Sequence, residues 1–165
     1  MTTTTENTQT AGSASPKPGE MRLEVVVLPV ADTVRSRDFY VSLGWRLDAD
    51  LEVEDGYRVV QVTPPGSGCS VIFGAGVSAA EPGSAQGLHL VVYDIEQTRA
   101  ELVRHDVPVS EIFHDVTGIF HQGGTTGRAP GPAAARASYG SFASFTDPDG
   151  NGWVLQEVRG RGGAA

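Results

Sequence analysis

The side chains best suited to chemistry are few: His89, His105, His114 and His121, the single Cys69, and the adjacent Gln156 and Glu157. An imidazole can act as general acid or base near neutral pH, or as a metal ligand. The spacing of these four histidines matches no compact metal-binding motif. A single cysteine excludes an internal disulfide and any cysteine-built zinc cage. With no basic partner nearby in sequence, Cys69 reads as a small buried hydrophobe rather than a nucleophile. His89 lies in the strand-like run LHLVVYD (88–94), and His114 ends a second such run, VPVSEIFH (107–114). His121 falls in a Gly/Pro/Ala-rich stretch. His105 follows a helical pattern, where a cation near the helix C-terminus is mildly favourable and a structural role is expected.

The elements that must carry these residues show themselves as a repeat. The run LEVVVLPV (23–30) is β-branched and apolar, and ADTVRSRDFYVSLGW (31–45) has helical spacing behind Asp32 as a candidate N-cap. LHLVVYD and IEQTRAELVRHDV (95–107) repeat that order, with Asp94 falling on Asp32 and Arg99 on Arg37. PPGSGCSVIF (64–73) likewise aligns with PDGNGWVLQE (148–157), each a Pro/Gly turn directly before a strand. With GYRVVQVT (56–63), YGSFASFT (139–146), RLDADLEV (46–53) and VPVSEIFH as further strands, each half reads β-α-β-β-β. The halves are unequal, because the second carries an insertion, 115–138, that lacks strand alternation. An insertion of this length inside a compact unit is expected to be a functional lid, with Ile119, Phe120 and His121 as its apolar tip.

Composition bounds the rest. The chain has 165 residues with 12 Lys+Arg against 20 Asp+Glu, a formal charge of −8, and this acidity argues against a nucleic-acid backbone partner. No run approaches the roughly 20 apolar residues of a membrane helix, so no membrane partner is expected. Residues 1–20 are poor in large apolar side chains and read as a disordered leader without a secretory pattern; 159–165 read as a frayed tail. A cytoplasmic protein is the expectation.

Two segments, VVLPVADTVRSRDFYVSLGW (26–45) and FASFTDPDGNGWVLQEV (142–158), together with the βαβββ repeat, resemble the vicinal oxygen chelate superfamily, also called the glyoxalase/bleomycin-resistance/dioxygenase superfamily. The resemblance spans 21–158. It implies an α+β fold of two βαβββ modules, 21–74 and 87–158, whose sheets form an open barrel around one cavity. It also implies a homodimer. In metal-using relatives a divalent ion is held by the first and last strands of each module. Here those positions fall on Val25 and Ser70 in the first module, and on Gly87 and Val154 in the second, a set unable to bind a metal.

By strand alternation from these positions, Val27, Ile72, His89 and Gln156 face the same cavity. The ligand-facing set implied is therefore Val25, Val27, Ser70, Ile72, His89, Val154 and Gln156, with His114, Phe120 and His121 closing over it. Trp153, Phe142 and Leu155 are expected on the helix side; Tyr57, Phe73, Phe120 and Tyr139 are expected at the pocket or its rim. Glu157 is expected to face away. The function implied is metal-independent binding of a small apolar or aromatic molecule, with no cofactor. The alternatives are a lyase or isomerase using His89 as acid/base, a dioxygenase with a rearranged divalent-metal site on His89, His114 and Gln156, or an interaction module with a vestigial pocket.

Overall fold

The computed structural model describes residues 15–160. The expected leader up to residue 14 and the tail from 161 lie outside the described residues. The first module contains β1 (Val25–Val27), α1 (Thr33–Ser42), β2 (Arg46–Glu52), β3 (Arg58–Thr63) and β4 (Ser70–Phe73). The second contains β5 (Leu88–Val92), α2 (Ile95–Arg104), β6 (Phe113–Asp115), β7 (Arg128–Pro130), β8 (Phe142–Thr146) and β9 (Gly152–Glu157). The sheets run β1-β4-β3-β2 and β5-β9-β8-β6-β7. In each, the first strand pairs in parallel with the last, and the other neighbours are antiparallel. The fold is α+β, two copies of one βαβββ unit. Both sheets keep free edges, so neither closes into a barrel. Within the segment expected to lack strands, β7 adds an edge strand against β6.

The two helices begin in the same way. Asp32 accepts the Arg35 backbone N–H and Asp94 accepts that of Gln97, each at 3.0 Å, which satisfies a helix-end donor that has no partner within the helix. Both then bury their inward face against the sheets. A single core joins the helix side of both modules: Leu28, Tyr40, Trp45, Val60, Val62, Val71 and Phe73 from the first meet Ile95, Leu102, Phe145, Trp153 and Leu155 from the second. Phe73 is therefore a core residue rather than a pocket residue, since it shares the face of Val71. Trp45 and Trp153 meet edge to face at 5.3 Å, in the preferred geometry for an aromatic pair.

The turn Asp147-Pro148-Asp149-Gly150-Asn151 fastens the modules together. Asp147 Oδ1 accepts the backbone N–H groups of Asp149, Gly150 and Asn151, and Oδ2 accepts the Tyr40 hydroxyl at 2.8 Å. Trp153 Nε1 donates to Tyr40 Oη at 3.0 Å. Asn151 Nδ2 donates to the Pro29 carbonyl and its Oδ1 accepts from Ala85, while Asp149 accepts Ala31 N–H and the Arg35 guanidinium. Burial and the Asp147 carboxylate hold the Tyr40 phenol well above its ordinary pKa, so it stays a hydroxyl donor. Among the described residues, no helix is long and apolar enough to cross a membrane.

Candidate functional site

Strand register decides which residues share a face. Val25 lies opposite Ser70, and His89, not Gly87, lies opposite Val154. His89 is thus the counterpart of Val25. Counting from the aspartate caps misplaces it because the connection from β1 to Asp32 is longer than that from β5 to Asp94. Leu88, Leu90 and Val92 pack on the shared core, so His89 stands on the opposite face of the second sheet.

Phe142 lies opposite Gln156 in the β8–β9 hairpin and so shares the face of Gln156, His89 and Val154. It forms a small cluster there with Phe113 and Val154. The expectation that Phe142 packs against a helix is corrected by this pairing. No periodicity within the single strand YGSFASFT distinguishes the two faces; the pairing partner does.

The loop between β6 and β7 crosses this face. Phe120 and His121 lie nearly parallel to the His89 ring, with centroids 4.9 and 5.2 Å from it. His121 also meets Phe142 at 4.9 Å, and Phe120 meets the same ring edge to face at 5.9 Å. The loop is held at its base by Asp115, whose Oδ1 accepts the Thr117 N–H and hydroxyl, and by Arg128, which donates to the Gly124 carbonyl and to Ser144. The Arg128 guanidinium also sits 3.9 Å above the Phe113 ring.

The hydrogen bonds orient each imidazole. Gln156 Nε2 donates to the Tyr139 carbonyl at 3.0 Å, which turns Oε1 toward His89 Nδ1 at 3.3 Å. His89 Nδ1 is therefore the donor. His121 Nδ1 donates to the Gln122 carbonyl at 2.9 Å. The two Nε2 atoms are 3.2 Å apart. Burial, opposed by the Gln156 bond, holds His89 below its ordinary pKa, and the neighbouring His121 adds to the lowering.

Of the residues expected in the site, the fold brings together His89, Gln156, Phe120 and His121, with Val154 beneath them beside Phe142. It does not bring the others to that cluster. His114 lies on the opposite face of β6 from Phe113, with Nδ1 on the Gly131 carbonyl at 2.9 Å. Val25, Val27, Ser70 and Ile72 share a face of the first sheet, where the Ser70 hydroxyl is bonded to Thr63 at 2.7 Å. A cavity of about 590 Å³ adjoins the cluster, with His114, Asp115, Phe120 and Tyr139 among its walls. A second, of about 410 Å³, lies on the helix side between Trp45, Pro64 and α2 and is lined by none of the residues expected in the site.

The strand positions that hold a metal in the resembled family do not fit one here. Val25 and Val154 offer no donor atom, the Ser70 hydroxyl is already engaged, and His89, which the register puts at the fourth position, is left as a single donor among them. The set His89, His114 and Gln156 is not assembled either, since Gln156 Oε1 faces Nδ1–H of His89 and His114 points elsewhere. Among the described residues, no group of three or more His, Cys, Asp or Glu is arranged to hold an ion.

Glu157 faces α2. It is fully buried, accepts the Ile95 N–H at 3.0 Å and pairs with Arg136 at 2.8 Å. Burial raises its pKa, but the Arg136 and Ile95 bonds outweigh this and leave it below the ordinary value. Burial pushes the Cys69 thiol up, away from the reactive thiolate.

The family described as Glyoxalase/Bleomycin resistance protein/Dioxygenase superfamily matches residues 22–155. No curated protein matches the chain. Among solved structures, TnmS3, an antibiotic binding protein from Streptomyces sp. CB03234, is 27% identical with a TM-score of 0.63, over 85% of this chain and 98% of that one. A glyoxalase/bleomycin resistance protein from the same organism is 28% identical with a TM-score of 0.59, over 82% of this chain and 100% of that one. A superfamily member from Sphaerobacter thermophilus DSM 20745, 24% identical with a TM-score of 0.61 over 84% of this chain and 98% of that one, shares the fold. This chain belongs to the glyoxalase/bleomycin resistance protein/dioxygenase superfamily.

Proposed function

We propose that this protein binds a small, planar, largely apolar or aromatic molecule on the outer face of its second sheet. The observation that carries the reading is the set of near-parallel rings of Phe120, His121 and His89 above Phe142 and Val154, beside the 590 Å³ cavity. Phe120 keeps 55% of its surface in solvent, so one aromatic wall is free to stack. The imidazoles of His89 and His121, the former oriented by Gln156, supply the few directed polar groups that such a site needs. The 27% identity to an antibiotic binding protein supports sequestration as the role. The segment 115–138 acts as the lid of this site, and the domain spans 21–158.

A second copy of the chain completes the assembly in this reading. The outer face of the first sheet carries Val25, Val27 and Ile72, with Val27 40% exposed, and a partner would cover it. Light scattering should then report a dimer, working in the cytoplasm.

The test is titration calorimetry of the full chain against a panel of planar aromatic natural products. Binding in the micromolar range, weakened at least tenfold by Phe120→Ala, is expected. If no member binds below about 100 µM and native mass spectrometry of fresh protein finds no co-purified ligand, the reading is wrong.

A second reading, a lyase or isomerase with His89 as acid/base, is favoured by one feature. The Gln156 contact leaves the basic nitrogen of His89 on Nε2, toward the lid. His89→Gln should then abolish turnover of a bound substrate without abolishing its binding.

A further inference from the structure

The joint between the modules has two sides, because each unit sends the turn before its last strand toward the helix of the other. On one side the turn after β8 meets α1. There Asp147 accepts the Tyr40 hydroxyl, and Asp149 accepts the Arg35 guanidinium and, at 3.3 Å, the Ser36 hydroxyl. On the other side the turn after β3 faces α2, and the matching residues cannot make those bonds. Counted from the caps Asp32 and Asp94, Leu102 falls on Tyr40 and Thr98 on Ser36. Pro64 and Pro65 fall on Pro148 and Asp149, so no carboxylate projects from this turn. The polar clasp is not repeated, and the cavity of about 410 Å³ lies in its place, with Pro64, Pro65, Thr98 and Leu102 all on its walls.

We propose that this helix-side cavity is a second binding site, for a small phenol-type molecule: an aromatic ring carrying one hydroxyl. Trp45, Leu102, Phe145 and Leu155 are buried side chains that give it an apolar floor, and its volume is that of a small-molecule site. The filled side of the joint shows what chemistry such a gap takes. An aromatic ring enters between turn and helix, and its hydroxyl donates to a carboxylate. On the open side the acceptors are present and the donor is not. Thr98 Oγ1 spends its proton on the Asp94 carbonyl and keeps its lone pairs. Glu101, at the mouth, accepts only Gln97 Nε2 at 3.3 Å and lies 3.8 Å from Arg104, which leaves its carboxylate able to take a further hydroxyl. The site stands on the opposite face of the second sheet from Phe120 and does not depend on the ligand suggested above.

The experiment uses β-naphthol as the probe. Full chain labelled at its methyl groups is titrated near neutral pH, with Leu90, Leu102 and Leu155 reporting the helix-side cavity and Val154 reporting the outer face separately. Saturable shifts at the three leucines are expected, with a Kd below about 1 mM. Leu102→Tyr, which puts into the cavity the ring that Tyr40 supplies on the other side, should weaken these shifts' Kd at least tenfold. The methyl ether of the probe, which has no donor, should bind to the wild-type chain at least fivefold more weakly, as loss of one hydrogen bond to a charged group requires. The ether keeps the test decisive if the variant does not fold. No saturable shift at the leucines below about 1 mM, shifts confined to Val154, undiminished binding by Leu102→Tyr, or an ether that binds as tightly as the naphthol would each overturn the proposal.

Discussion

His89 Nε2 and His121 Nε2 stand 3.2 Å apart, although 32 residues separate them in sequence. This contact joins the second sheet to the loop that crosses it. It depends on a third residue, Gln156, which holds His89 in one tautomer and is itself held by the Tyr139 carbonyl.

Gln156→Leu should therefore release the His89 ring without emptying the space beside it. The fraction of His89 protonated at Nδ1, read from ring ¹⁵N shifts, should fall from near complete to a mixture of tautomers. Loss of the two hydrogen bonds should cost about 1–2 kcal/mol in urea unfolding. An unchanged tautomer would show that Gln156 does not orient the ring.

Gly127 has φ +71°, and a Cβ there would come within 2.4 Å of Gln122 Nε2 and 2.9 Å of Asp115 Oδ2. Gly127→Ala should loosen the loop at its base while leaving the shared core intact. Amide exchange in 116–127 should accelerate at least tenfold, with little change in β8, β9 or the helices. Any aromatic ligand that stacks on Phe120 should bind more weakly in the same variant.

Tyr40→Phe removes the donor to Asp147 and the acceptor for Trp153 in the joint between the modules. Both partners are buried, so about 1–3 kcal/mol of stability should be lost, with no effect on ring shifts at His89. The check is chemical unfolding followed by tryptophan fluorescence, since Trp153 itself loses a partner.

Glu157 sets an acid limit. Its pKa in the fold lies below the ordinary carboxylate range, so the unfolded chain takes up its proton first as pH falls. The pairing with Arg136 and Ile95 N–H is fully stabilising above the unfolded pKa, near 4.3, and is lost as pH drops through the lower folded value. Glu157→Gln should destabilise the protein at pH 7 by about 2–3 kcal/mol, near the low end for a broken buried pair because Arg136 keeps a quarter of its side chain in solvent. The difference should shrink toward pH 3. A gap that is the same at pH 7 and pH 3 would rule out the ion pair as its source.

Much of the architecture is legible in the sequence. Asp32 and Asp94 announced two helices with identical starts, and the Pro/Gly turns announced the hairpins, because caps and turns are local chemistry. The Asp-Pro-Asp-Gly-Asn turn was legible as a turn only. That its carboxylates and amide hold Pro29, Ala31 and Tyr40 depends on a contact between modules that no window of sequence contains. The position of Gly87 and the face of Phe142 depend on two different things. The longer connection from β1 to Asp32 moves the counterpart of Val25 two residues along the same face, to His89, whereas the face of Phe142 is known only once the partner strand fixes the register.

The sequence by itself determined the repeat, the family and the list of groups able to do chemistry, because periodicity, capping and turn chemistry act within a few residues. Only the tertiary structure decided which of those groups meet. His89, His121, Phe120 and Gln156 are drawn together by a loop crossing one sheet, while His114 and the first-sheet valines are carried elsewhere. The physical reason is that backbone hydrogen bonds between strands, and the packing of one shared core, set the faces and their neighbours. Side-chain identity then determines only what each face can do.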